Sequence, residues 1–208
     1  MNICNNEFEA KGEKKMEQAI SHGCGCAHEA EKPTEILSDE HRVIERVLDA
    51  LQRLTAVPVN QSLEQWRKAL EFFRHFADQC HHFKEEKVLF PAMEEHGIPR
   101  EGGPIGMMLQ EHEEGRAHVK AMVAAVEELS TGTGAADEVL LTHARAYVTL
   151  LREHIQKEDD ILFRMADEVI PEDEQREILK QFETHEAQEM GPGAHEKYLG
   201  IARELEAV

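Results

Sequence analysis

His81-His82-Phe83-Lys84-Glu85-Glu86-Lys87-Val88-Leu89-Phe90 and His154-Ile155-Gln156-Lys157-Glu158-Asp159-Asp160-Ile161-Leu162-Phe163 are versions of one another. Laid together without a gap, they pair His81 with His154, Lys84 with Lys157 and Glu85 with Glu158. The chain thus carries His-x-x-x-Glu twice, each time inside a long segment with helical periodicity. Residues four apart share one face of a helix, about 6 Å apart along its axis. An imidazole and a carboxylate presented this way by each of two helices make half of a dinuclear metal site.

Working outward, apolar residues recur at spacings of three and four from Thr34 onward, and β-branched alternation is almost missing, so the fold class is all-α. Helix one is expected over about Thr34–Thr55. Helix two starts at Ser62, with Gln65 completing a capping box, and runs to about His96, with its last turn bent at Pro91. Helix three follows Gly102-Gly103 at Pro104 and ends at Thr131-Gly132. Helix four spans about Ala136–Val169. Shorter helices cover about Glu172–Met190 and Ala194–Glu206. Four long helices with short links predict an antiparallel up-down four-helix bundle over residues 34–170, with a C-terminal helical extension, 171–208, packed on it. Residues 1–33 are polar and read as a flexible N-terminal tail.

The inward seams locate the candidate site. On helix two the seam is Trp66, Leu70, Phe73, Ala77, His81, Glu85, Val88 and Ala92. Tracing back from His82 gives Asp78, His75, Glu71 and Lys68, a solvent face, so His82 and Glu86 are expected about 100° off the seam. On helix four the seam is Leu140, Ala144, Tyr147, Leu151, His154, Glu158, Ile161 and Met165. His41 and His112 lie in the seams of helices one and three. Six inward groups, His41, His81, Glu85, His112, His154 and Glu158, would be costly to bury without a compensating charge. Four imidazoles and two carboxylates suit iron, manganese or zinc better than calcium or magnesium.

The order His, His-x-x-x-Glu, His, His-x-x-x-Glu, with Glu40-His41-Arg42, Glu111-His112 and Leu89-Phe90-Pro91 around it, resembles hemerythrin-like (HHE cation-binding) domains over about residues 34–170. That resemblance implies two iron ions in a non-haem di-iron centre, oxo- or hydroxo-bridged, bound by those six residues with Glu85 and Glu158 as bridges. It implies a protein that binds or senses oxygen, nitric oxide or iron, or a di-iron oxidoreductase acting on peroxide, nitric oxide or ferrous iron; the partner is then a small diatomic ligand or peroxide. A third reading is a structural or zinc-loaded site. The chain departs from oxygen-carrying hemerythrins, which have a second His four residues after the third-helix His. Arg116 stands there, which leaves one iron with a more open shell and argues against reversible oxygen carriage. The last carboxylate of those carriers has the spacing of Asp159, although Glu158 has the better face. His82 is either a replacement ligand or a partly exposed neighbour, and Tyr147 either a hydrogen-bonding neighbour of the site or core.

Bulk properties narrow the classes further. Lys plus Arg number 23 against 42 Asp plus Glu, a formal charge of −19. That charge opposes binding to nucleic acid or anionic membrane. No run approaches the roughly 18 apolar residues of a membrane span. The N-terminus lacks an apolar signal core, and four cysteines do not make a disulfide framework, so a cytoplasmic protein is expected. Cys24 and Cys26, with His22 and His28, read as a weak soft-metal or redox motif. Cys80 reads as a small buried apolar residue. His185 and His195 read as packing residues, or else as a lid contact or an accessory ligand of the site.

Overall fold

The computed structural model describes residues 32–131, 136–191 and 193–207. The expected N-terminal tail, with Cys24 and Cys26, lies outside them. The described residues contain helices and no strand. In chain order they are α1 (Pro33–Leu54), α2 (Val59–Phe72), α3 (Phe90–Glu95), α4 (Pro104–Thr131), α5 (Asp137–Lys157), α6 (Phe163–Val169), α7 (Glu172–His185) and α8 (Ala194–Glu206). Among the described residues, no helix is long and apolar enough to cross a membrane.

α1 opens with Pro33 at its first turn, and the Glu35 carboxylate accepts the Lys32 backbone N–H at 2.9 Å. This satisfies a donor that the helix cannot pair. The second helix departs from expectation at its start. It begins at Val59, and Ser62 breaks it with φ −131° and ψ 16° while its hydroxyl donates to Pro58 O. Ser62 is therefore a kink three residues into the helix and not its cap.

The larger departure is in winding. Phe73–His82, Glu85–Leu89 and Glu158–Leu162 are π-helical. The Phe90 N–H reaches Glu85 O and the Phe163 N–H reaches Glu158 O, five residues back instead of four. Each wider turn inserts one residue, and such turns gather at functional positions. Downstream, the buried face advances by one. Met93 is buried where the α-helical seam predicted Ala92. Leu162 and Ala166 are buried where it predicted Ile161 and Met165, and Ile161 stands 56% exposed. The two halves of the internal repeat share this turn, each beginning at its glutamate.

α1, α2, α4 and α5 pack each on the next, and α5 returns to α1; α8 lies on α1 and α2, and α7 on α1 and the Glu85–Leu89 turn. Two apolar clusters fill the interior. One holds Ile44, Leu48, Leu51, Trp66, Phe73, Met122, Leu140 and Leu151. The other holds Leu37, Val88, Phe90, Met93, Ile105, Met108, Leu162, Phe163 and Phe182. Each long helix crosses from one cluster to the other at its histidine. On α1, His41 separates Leu37 from Ile44; on α4, His112 separates Met108 from Val119. Fully burying one such side chain is worth about 1.5–3 kcal/mol, so the two clusters hold the helices while the layer between them is polar.

Candidate metal centre

That layer brings all six sequence-derived residues together, and each is almost fully buried. One ligand atom each from His41, His81, Glu85 and Glu158 lies within 4.8 Å of the others, and so does one each from His82, Glu85, His112 and His154. Glu85 belongs to both groups. Glu158 reaches both as well, 3.3 Å from His41 Nε2 and 3.2 Å from His154 Nε2.

His82 corrects the expectation from the seam. It is 5% exposed and stacks on His112, with ring centroids 3.8 Å apart and planes at 16°. The π winding of Phe73–His82 explains it: with the helical ring widened by one residue, two consecutive side chains, His81 and His82, both face the interior. Glu86, also expected toward solvent, turns instead to His112.

Each histidine with an inward Nε2 is fixed by its outer nitrogen. His41 Nδ1 meets Asp159 Oδ1 at 2.9 Å, His81 Nδ1 meets Glu40 Oε2 at 3.0 Å, His112 Nδ1 meets Glu86 Oε1 at 2.8 Å, and His154 Nδ1 meets Glu111 Oε2 at 2.9 Å. The four carboxylates are in turn held by Arg42, Lys84, Arg116 and Lys157. The pairs run in one direction around the molecule. The second helix holds a carboxylate of α1, α1 one at the end of α5, α5 one of α4, and α4 one of the second helix. Each helix contributes a histidine and a cation to grip the next helix's carboxylate. Lys84 and Lys157, aligned by the internal repeat, do this at the same spacing from His81 and His154. Asp159 is thus a partner of His41 and not one of the clustered inward groups.

These contacts set the chemistry. A carboxylate on Nδ1 makes that nitrogen the donor and leaves Nε2 as a lone pair facing inward, the arrangement of metal-bound histidine. His112 Nε2 and His154 Nε2 face each other at 3.0 Å. Two lone pairs at that distance require a cation or proton between them. His41 Nε2 and all four oxygens of Glu85 and Glu158 are buried without a hydrogen-bond partner. What the oxygens face instead are imidazole nitrogens 3.2–3.9 Å away, and such buried groups without hydrogen bonds are costly unless a cation or shared protons meet them. The donor set therefore fits bound metal.

With no cation in the layer, the same carboxylates favour a proton on the inward nitrogens, which a bound metal would displace. Burial opposes charge on His81, yet Glu85 and Glu40 raise it to about 10; burial likewise opposes charge on His154, and Glu158 and Glu111 raise it to about 9. Burial works against the Glu40 carboxylate, but the His81 hydrogen bond and Lys84 hold it at about 2; Glu86, with His112 and Arg116, is also at about 2. Burial and the neighbouring His112 push His82 well below its ordinary value, against the opposing pull of Asp78, whose Oδ1 lies 3.5 Å from His82 Nδ1.

Arg116 does not stand open beside the site. It is tied to Asp78 at 2.8 Å, Glu86 at 2.6 Å and Glu113 at 2.7 Å, while His82 from the neighbouring helix stacks on His112. Tyr147 is buried, edge-on to Phe73 at 5.0 Å. His185 stacks on Phe83 at 3.5 Å and bonds Gln79 O, which makes it packing and not a ligand. Cys80 is buried, as expected, and burial pushes its thiol up to about 12.

Two groups of four buried nitrogen and oxygen donors with a shared carboxylate, in an all-helical protein, define a candidate dinuclear cation site. The profile described as Hemerythrin HHE cation binding domain matches residues 32–166, and the chain belongs to that family. Similar proteins include one from Mycobacterium bovis (strain ATCC BAA-935 / AF2122/97) and two from Mycobacterium tuberculosis (strains CDC 1551 / Oshkosh and ATCC 25618 / H37Rv), all described as uncharacterized. Each is 23% identical over 176 residues, covering 83% of this chain and 68% of the relative. No solved structure matches the chain.

Proposed function

We propose that this chain is a non-haem di-iron protein that binds or senses a small ligand, oxygen, nitric oxide or iron itself. The observation that carries the reading is the set of unpartnered inward atoms on Glu85, Glu158 and His41, backed by four carboxylate-fixed histidines. His41 and His81 would hold one ion, His82, His112 and His154 the other, with Glu85 and Glu158 shared. An antiparallel up-down four-helix bundle over residues 34–170, with 171–208 as its covering extension, is the arrangement that the ring of helix pairings supports.

A bound iron pair supplies redox couples and open coordination positions for a diatomic or peroxide. The chain's own residues do the rest. The carboxylate on each Nδ1 fixes ring orientation and makes that nitrogen the donor, so that the inward nitrogen presents its lone pair to a bound cation. The two apolar clusters above and below exclude water, which strengthens every charge interaction between them. With His82 in the cluster, seven side chains converge, a fuller shell than six would give.

Metal analysis and a visible spectrum of the protein as isolated test the reading, with about two iron ions per chain expected. Stopped-flow mixing of the reduced protein with oxygen, nitric oxide and peroxide then separates binding from turnover. A persistent adduct supports the sensor; catalytic consumption of peroxide or nitric oxide supports the oxidoreductase. Zinc or no metal after growth in iron-replete medium overturns both.

A further inference from the structure

Beside the centre, between the Phe73–His82 stretch and α4, a cleft of about 420 Å³ leads inward to His82. Its walls are Phe73, Val119, Val123 and the ring of Tyr147. Gly115 lines it too, and a Cβ there would meet Tyr147 at 3.4 Å, so the missing side chain keeps this end open. His82 Nδ1 is buried at the inner end without a hydrogen bond, and Asp78 Oδ1 lies 3.5 Å from it.

The charge at the mouth is unusual for this chain. Asp78 pairs with Arg116 across the cleft, and one helical turn further out on each side stand Arg74 and Lys120. Both are exposed, and neither makes an ion pair among the described residues, whereas the neighbouring Arg67 and Arg116 do. Glu127 is the one other acidic side chain on this rim, nearly two turns beyond Lys120 on α4. Two unmatched cations in register across an apolar cleft, on a chain of charge −19, leave a place for a counter-anion. An apolar floor with a few converging polar groups is the usual form of a small-molecule site.

We propose that this cleft binds an amphiphilic monoanion, a medium-chain carboxylate, with its head between Arg74 and Lys120 and its chain against Phe73, Val119 and Tyr147, directed toward His82. The proposal rests on the cleft and its rim and not on the identity of the metal.

Calorimetric titration of the full chain with octanoate, octan-1-ol and acetate, in metal-free and metal-loaded protein, tests it. Octanoate is expected to bind once per chain in both forms, with octan-1-ol and acetate at least about tenfold weaker. Arg74→Gln with Lys120→Gln is expected to weaken octanoate about tenfold or more while circular dichroism is unchanged, since both residues are exposed. Octan-1-ol binding as tightly would reduce the cleft to an apolar crevice, and acetate as tightly would reduce it to a charge patch; either overturns the proposal. So would an unchanged double variant, no saturation by about 10 mM octanoate, or binding only when metal is loaded, which would put the carboxylate on the metal.

Discussion

His82 lies face to face with His112, ring centroids 3.8 Å apart, although the two residues come from different helices and His82 was expected off the inward seam. The stack places a fifth imidazole in the buried layer. It comes from the second helix, where an oxygen-carrying hemerythrin would draw its extra histidine from the third.

His82→Ala should therefore lower metal content toward one ion per chain, leaving the His41–His81 side loaded. Elemental analysis of purified variant and wild type checks this, and two ions retained in the variant would return His82 to a packing role. Arg116→His should not restore a ligand, because Arg116 points to Asp78, Glu86 and Glu113; it should instead free Glu86 from its cation and weaken the hold on His112.

The circular set of histidine–carboxylate pairs predicts an effect at a distance from the metal. Glu40→Gln keeps an acceptor for His81 Nδ1–H but removes its charge and its pairing with buried Lys84. Metal affinity should fall about 10–100-fold. Competition against a chromophoric chelator measures it, with the exposed Glu138→Gln, away from the site, as the control; equal affinities in all three proteins would show that the outer carboxylates do not tune the site.

Chelation should leave a largely helical protein with a lower melting temperature. The two apolar clusters do not include the site, so they persist. The carboxylates of Glu85 and Glu158 lose the charge that offsets their burial, and a fall of about 10 °C is expected. Far-ultraviolet circular dichroism with a thermal scan decides between this and the collapse expected of a fold that needs its metal.

A second histidine pair, away from the centre, predicts a pH effect. His118 Nδ1 and His143 Nδ1 lie 2.9 Å apart, and burial together with His143 holds His118 below its ordinary value. A base lowered on folding takes its proton more readily when unfolded, so its cost appears as pH falls through the unfolded value near 6.5. The melting temperature of metal-free protein should drop less between about pH 7.5 and 5.5 in His118→Gln than in the wild type. Parallel pH profiles would mean that the pair is solvated enough to share a proton without penalty.

Helical periodicity in the sequence determined the all-helical fold, the starts of α1, α4, α7 and α8 to within a residue, and the six groups His41, His81, Glu85, His112, His154 and Glu158 that gather in the buried layer. It could do so because each of these lies on an apolar seam where solvent cannot meet it. The sequence also held, unread, the signal for the outer carboxylates: each is the chain neighbour of an inward residue, as in Glu40-His41, Glu85-Glu86, Glu111-His112 and Glu158-Asp159. A step of about 100° from an inward position points a side chain at the adjacent helix, but which helix lies there, and in what register, is a tertiary fact. Only the folded structure therefore pairs Glu40 with His81 and Glu111 with His154. The placement of His82 was hidden for a different reason. Seam reading assumes α-helical winding, and the five-residue hydrogen bonds of the second helix, imposed where the helices close around the polar layer, shift the face by a residue and bring His82 inside.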